Sequence, residues 1–123
     1  MKRIVSEMKE NEALAKILDA FCAPNPTEEQ KMICALTKQA LLADSLLTFI
    51  SEVTMARRGL GKVKTDTVKN VVEYVKANHE VQIRKQALSE QEKDALVKQA
   101  SDRLTEIEVW LLGTLAYLGL LIQ

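Results

Sequence analysis

The sequence predicts an all-α fold: an irregular bundle of four to five helices with a buried C-terminal apolar helix. Apolar residues recur at helical spacing along most of the chain, and two capping boxes mark helix starts. Four Gly and two Pro in 123 residues are too few for a many-stranded β fold. Apolar residues make up 47% and charged residues 28%, which is typical of globular proteins. We therefore expect a single helical domain over residues 1–123.

The first helix is expected to run from Glu10 or Asn11 to Cys22. One apolar stripe follows the i, i+3, i+4, i+7 rule and consists of Leu14, Ile17, Leu18 and Phe21. Pro24-Asn25-Pro26 then ends the helix, because a proline disfavours helical backbone at the residue before it.

The second helix is expected to begin after Thr27 and to continue to about Arg57. Thr27 and Gln30 form a capping box, in which each side chain satisfies a backbone amide of the other. Between Ala40 and Ile50 the helix is apolar on most sides, so it should lie at the centre of the fold. A helix of this length would measure about 45 Å, and a bend within it is allowed.

The third helix is expected to be capped by Thr65 or Asp66 and to reach Ile83. Its apolar face is rich in valine, but the valines keep a spacing of 3.6 and do not alternate, which favours helix over strand. A second capping box at Ser89 starts the fourth helix. No Gly or Pro separates these two helices, which favours a kink between them over a loop.

His79 continues the apolar face of the third helix, so we interpret it as a core histidine. Phosphotransfer domains with an active histidine carry a lysine nearby and a small residue one turn on. Gln82 and Ile83 depart from that pattern here. With one histidine and no Cys-x-x-Cys pair, the sequence predicts neither a metal site nor a cofactor, and no catalytic residue.

The two cysteines, Cys22 and Cys34, are expected to be buried free thiols. Cys22 ends the first helix, whereas Cys34 lies about two turns, roughly 10 Å, into the second, and a disulfide needs Cα atoms closer than about 7 Å. The first residues also lack a secretory signal. Both observations predict a cytoplasmic protein.

The chain's last segment, residues 109–122, has one polar side chain, Thr114. Its fourteen residues span about 21 Å as a helix, which is less than the roughly 30 Å of a bilayer's hydrocarbon, so membrane insertion is disfavoured. Two interpretations remain: a helix enclosed by its own bundle, or the seam of a homo-oligomer or of a complex with another protein. Small residues recur at Gly113, Ala116 and Gly119. The predicted interface residues are Trp110, Gly113, Leu115, Tyr117 and Leu118.

Charge is balanced overall but segregated along the chain. Residues 57–85 contain eight basic and three acidic side chains, whereas acidic residues are in excess on either side. A loop that opens into the third helix could bind an anion at the helix N-terminus. The candidate partner- or anion-binding residues are Arg57, Arg58, Lys62, Lys64 and Lys69.

These features predict a non-enzymatic protein-binding module: an adaptor, a chaperone-like protein or an inhibitory regulator that acts through helical surfaces as a homodimer. The alternative is a nucleic-acid-binding regulator that uses the basic 57–69 segment. The segment has no aromatic residue for base stacking and no known RNA-binding signature, which makes this the second choice.

Overall fold

The computed structural model describes residues 11–19 and 25–122. In chain order it contains α1 (11–19), α2 (Glu28–Leu42), α3 (Leu46–Met55), a 3-10 turn (Arg57–Gly59), β1 (Val63–Lys64), α4 (Thr65–Arg84), α5 (Glu90–Tyr117) and β2 (Leu121–Ile122). The five α-helices of this described part pack into a bundle, which confirms the predicted fold class. The predicted ends of the first helix, Glu10 and Cys22, lie outside the described residues.

The predicted second helix is two helices, so its expected continuity to Arg57 is wrong. The Thr27–Gln30 capping box forms as predicted, but α2 ends at Leu42 and Ala43 is extended, with ψ 144°. Ser45 then caps α3, where its hydroxyl accepts a hydrogen bond from the Thr48 amide at 3.1 Å. Because the side chain of a serine competes for backbone donors, it favours a new helix start over an uninterrupted helix.

Helices α4 and α5 form an antiparallel hairpin, and residues 85–89 connect them. The expected kink is therefore wrong. Lys76 in α4 donates to Thr105 in α5 at 2.9 Å. Near the connection, Arg84 forms ion pairs with Glu80 and with Asp94, the latter at 2.8 Å. A linker permits the chain reversal that lets both helices bury their apolar faces, which a kink would not.

The core lies between α5 and the faces of α2 and α4 that contact it. The valine face of α4 is buried along its whole length, and His79 lies on that face with 7% of its surface exposed, as predicted. From α5 the core receives Ala100, Leu104, Ile107, Leu111 and Leu115. Phe49 and Val53 anchor the short helix α3 on this core.

Helix α5 ends at Tyr117, so the expectation of a helix through Ile122 is wrong. Gly119 adopts a left-handed backbone with φ 72°. The Leu120 amide donates to the Leu115 carbonyl at 2.8 Å, and the Gly119 amide donates to the Ala116 carbonyl at 3.1 Å. These two bonds form a Schellman motif, which terminates a helix at a glycine.

The chain beyond the glycine forms a two-residue parallel strand pair. Val63 pairs with Leu121 and Lys64 pairs with Ile122. This pairing holds the end of α5 beside the start of α4. It also explains why Val63 is fully buried between two exposed lysines, since successive side chains of a strand point to opposite sides.

Cys34 is disulfide-bonded, so the expectation of a free thiol is wrong at this position. The chain's other cysteine, Cys22, lies outside the described residues. Along α2, Cys34 lies about two turns from the helix start. In the structure α1 packs against α2, and Asp19 pairs with Lys38 at 2.8 Å, one turn beyond Cys34. Packing between helices therefore shortens distances that are long when measured along one helix.

Candidate protein-binding surface

The C-terminal apolar run is divided between the core and the surface. Its core side consists of Leu111, Thr114, Leu115, Leu118 and Leu120, all at most 8% exposed. Its outer side includes Val109 and Tyr117, which are 63% and 78% exposed. One side of the run therefore packs in the bundle, whereas the other side is apolar although it faces solvent in this chain.

We call the outer side the α5 apolar face and define it as Val109, Trp110, Gly113, Ala116 and Tyr117. Their spacing places all five on one side of the helix, with Gly113 at the centre. The sequence contains no charged residue between positions 109 and 122. An exposed helix face of this length without a charge is unusual for a surface that meets only water.

Trp110 is half-buried at one edge of this face. The guanidinium carbon of Arg103 lies 5.1 Å from its ring centroid, within the range of a cation–π interaction. Phe49 also packs against it, with ring centroids 6.3 Å apart. These two contacts restrict the indole, which lies next to the exposed side chains of the face.

Within residues 11–19 and 25–122, neither packing nor backbone conformation requires a glycine at position 113. Apart from its chain neighbours and the nearby backbone of its own helix, a Cβ atom there would have no described atom within 4 Å, and the residue does not have a positive φ. A glycine inside a helix costs about 1 kcal/mol relative to alanine. Since no contact among the described residues offsets that cost, close approach by another molecule is a physical reason for a glycine here.

Two of the predicted interface residues belong to the core instead. Leu115 and Leu118 are 1% and 5% exposed, so neither can reach another molecule while the bundle is closed. Trp110, Gly113 and Tyr117 do share a face. Sequence reasoning missed Val109 and did not separate the two sides of the run, because every position in it is apolar or small.

A second exposed apolar group lies on and near α3. It consists of Leu42, Leu46, Leu47 and Met55, of which Met55 is 84% exposed. Leu47 and Met55 are eight residues apart and so lie on the same side of the helix. The α3 helix adjoins the α5 apolar face at the Phe49–Trp110 contact.

The predicted basic residues are exposed and follow one another through the turn, strand β1 and the start of α4. Among the described residues, none of the five side chains Arg57, Arg58, Lys62, Lys64 and Lys69 takes part in an ion pair. Their charge is thus available to an acidic partner.

The N-terminus of α4 is already occupied by a carboxylate of this chain. Glu29 of α2 accepts a hydrogen bond from the Lys64 amide at 3.0 Å and another from the Thr67 hydroxyl at 2.7 Å. The expected cap by Thr65 or Asp66 is wrong, since Lys64 is the capping position and has no side-chain cap of its own. A carboxylate held here satisfies the helix dipole, so an external anion has no open helix end to bind.

His79 opens onto a groove of about 260 Å³ between α4 and α5. Glu73, Lys76 and Glu80 of α4 and Ser101 of α5 also line this groove. Burial lowers the pKa of His79 from its ordinary value of 6.5, because loss of water penalises the charged imidazolium. The histidine is therefore held neutral near pH 7.

We expect the protein to become less stable as the pH falls below 6.5. In that range the unfolded chain binds a proton at His79 before the folded chain does, so protons favour unfolding. The urea concentration at the unfolding midpoint should decrease when the pH is lowered from about 7.5 to about 5. In a His79→Leu variant this decrease should be smaller. An identical pH dependence in the variant would show that His79 is not responsible.

Comparison with known proteins gives no family. No protein-family model, no characterised protein and no solved structure is significantly similar to this chain. Within residues 11–19 and 25–122, no cluster of three or more potential metal ligands occurs. In the same part of the chain, no helix has both the length and the hydropathy needed to cross a bilayer. The surface itself is thus the basis for a functional proposal.

Proposed function

We propose that this protein is a non-enzymatic protein-binding module, an adaptor, chaperone-like or inhibitory regulator, that binds through the α5 apolar face. The observation that carries the proposal is the exposure of Val109 and Tyr117 on a helix whose opposite side is in the core. The same helix therefore supports the fold and presents a rigid apolar surface.

The composition of this face supports binding to protein. Tyrosine and tryptophan are enriched among residues that dominate binding energy, and charged residues are depleted at the centres of interfaces. Tyr117 and Trp110 meet the first condition and the absence of charge meets the second. Gly113 supplies a flat centre that a partner backbone could approach closely.

Photocrosslinking would test this proposal directly. A photoreactive amino acid at Tyr117 should give covalent adducts with protein after irradiation in the native host. The matched control is the same amino acid at Gln82, an exposed polar position on α4. Adducts at both positions, or at neither, would contradict the proposal.

The alternative is nucleic-acid binding by the basic segment. It is favoured only by the charges at Arg57, Arg58, Lys62 and Lys64, which form no ion pair with any described residue. If it holds, duplex DNA or RNA should bind at about 50 mM salt, with affinity falling steeply as salt rises. Replacement of the four residues by glutamate should then abolish binding. Absence of binding by the unmodified chain at low salt would rule the alternative out.

The cytoplasmic location predicted from the sequence remains a proposal, and the disulfide at Cys34 counts against it. Disulfides persist mainly in oxidising compartments. We expect an alkylating reagent applied to unfolded, unreduced protein to leave Cys34 unmodified, and to modify it once a reductant is added. Mass spectrometry of protein from cells lysed directly into denaturant that contains the alkylating reagent would measure this. Full labelling without a reductant would restore the cytoplasmic interpretation.

A further inference from the structure

We infer that the outward side of α3, together with the basic segment after it, docks this protein on an anionic lipid surface. Lipid binding at this place is separate from the α5 apolar face and goes beyond the proposed function. Three features support it: exposed aliphatic side chains on α3, cations that continue the same row, and an acidic neighbour whose carboxylate is directed elsewhere.

The exposed aliphatic side chains lie in one row along α3. Leu47, Ser51 and Met55 follow one another at intervals of four residues, so they lie on one side of the helix. Phe49 and Val53, which are buried, attach the opposite side of α3 to the core. Leu47 and Met55 are 78% and 84% exposed, so both side chains extend into solvent. Such side chains gain free energy when an apolar medium replaces the water around them.

Positively charged side chains continue this row beyond the end of α3. Arg58 follows Met55 by three residues, and the backbone between them stays helical as α3 passes into the 3-10 turn. Its side chain therefore lies on the same side as that of Met55. Lys62 and Lys64 also point outwards, because the residue between them, Val63, points into the core. Arg58, Lys62 and Lys64 form no ion pair with any described residue, so their charges are available to lipid phosphates.

The acidic residue of α3 does not neutralise these cations. Glu52 accepts a hydrogen bond from the side-chain amide of Gln39 at 2.8 Å, so its carboxylate is directed towards α2. Two further acids flank the region: Asp44 precedes α3, and Asp66 lies in the first turn of α4, where the helix dipole stabilises it. Residues 52–64 contain four basic side chains and one acidic side chain. The C-terminal half of α3 and the segment after it therefore carry the net positive charge that an anionic surface attracts.

The presence of both groups in one row favours a lipid surface over nucleic acid. Cations alone provide most of the affinity for a phosphate backbone, and exposed Leu47 and Met55 contribute little to that contact. Helices that bind at a membrane surface use both groups: apolar side chains enter the boundary of the acyl chains, and Lys or Arg side chains contact anionic headgroups. At 10 residues, α3 is too short to span a bilayer, so it would lie in the plane of the surface.

Co-sedimentation with vesicles would test lipid binding at this surface. The unmodified chain should sediment at about 50 mM salt with phosphatidylcholine vesicles that contain about one-third phosphatidylserine, and not with phosphatidylcholine alone. A double variant, Met55→Ser with Arg58→Gln, should raise the lipid concentration needed for half-binding at least about tenfold. Both positions are exposed, so the variant should keep the circular dichroism spectrum of the unmodified chain.

The matched control is Val81→Ser with Lys85→Gln. Val81 and Lys85 are exposed at the C-terminal end of α4, four residues apart, so this variant removes the same two kinds of side chain elsewhere. It should leave half-binding unchanged within about twofold. Equal losses in the two variants, or no sedimentation of the unmodified chain with the anionic vesicles, would overturn the inference. Unchanged vesicle binding by Met55→Ser alone would also overturn it, because cations without an apolar contribution would instead support the nucleic-acid alternative.

Discussion

Replacing Leu115 with glutamine should remove a large part of the protein's stability, whereas the same replacement at Tyr117, two residues later, should leave the stability nearly unchanged. Leu115 is 1% exposed and Tyr117 is 78% exposed. At Leu115 the change removes core packing and buries an amide without a partner, for a loss of about 3–5 kcal/mol. That loss approaches the whole stability of a small domain, about 5–15 kcal/mol. At Tyr117 the expected change is within about 0.5 kcal/mol.

Urea unfolding followed by circular dichroism would measure both variants, at a concentration low enough for the chain to be a monomer. The pair is informative because both residues are in the same apolar run and receive the same side chain. Equal losses at the two positions would mean that Tyr117 is also part of the core. The α5 apolar face would then not exist as a free surface.

Replacing Glu29 with alanine should destabilise the protein by about 1–3 kcal/mol. Its carboxylate is the cap of α4, since it accepts hydrogen bonds from the Lys64 amide and from the Thr67 hydroxyl. Hydrogen bonds to a charged acceptor are stronger than neutral ones, and their loss leaves a helix N-terminus without a cap. The loss should appear as a decrease in melting temperature of several degrees.

The neighbouring Glu28 provides the control for this prediction. Both glutamates lie in the first turn of α2, where each interacts favourably with the helix dipole. The side chain of Glu28 is 93% exposed and pairs only with Lys31, at 3.3 Å, among the described residues. Glu28→Ala should therefore cost well under 1 kcal/mol. If both variants lost the same stability, the dipole alone would explain the effect and the contact with α4 would contribute nothing.

Much of the fold follows from local signals in the sequence. The Thr27 and Ser89 caps, the valine face of α4 and the core position of His79 are all where the residue spacing predicts them. Each of these depends on residues within one or two helical turns of each other. Such signals are readable from sequence because the interacting groups are neighbours along the chain.

The short breaks were harder to predict because helical spacing continues across them. Ser45 starts a new helix within a run that is apolar on both sides, and Gly119 ends α5 within a run of small and apolar residues. Both residues were visible as cap types, Ser for a helix start and Gly for a helix end. A reading based only on the spacing of apolar residues misses both, because that spacing continues across them.

By itself the sequence determined the helical class, the main helix starts and the presence of an apolar C-terminal segment. Only the tertiary structure decided which side of that segment is buried, that Glu29 caps a helix 35 residues away, and that Cys34 is bonded. The reason is physical. Local propensities depend on adjacent residues, whereas burial, distant caps and disulfides depend on which helices pack together, and a run of uniformly apolar residues does not specify its own partner.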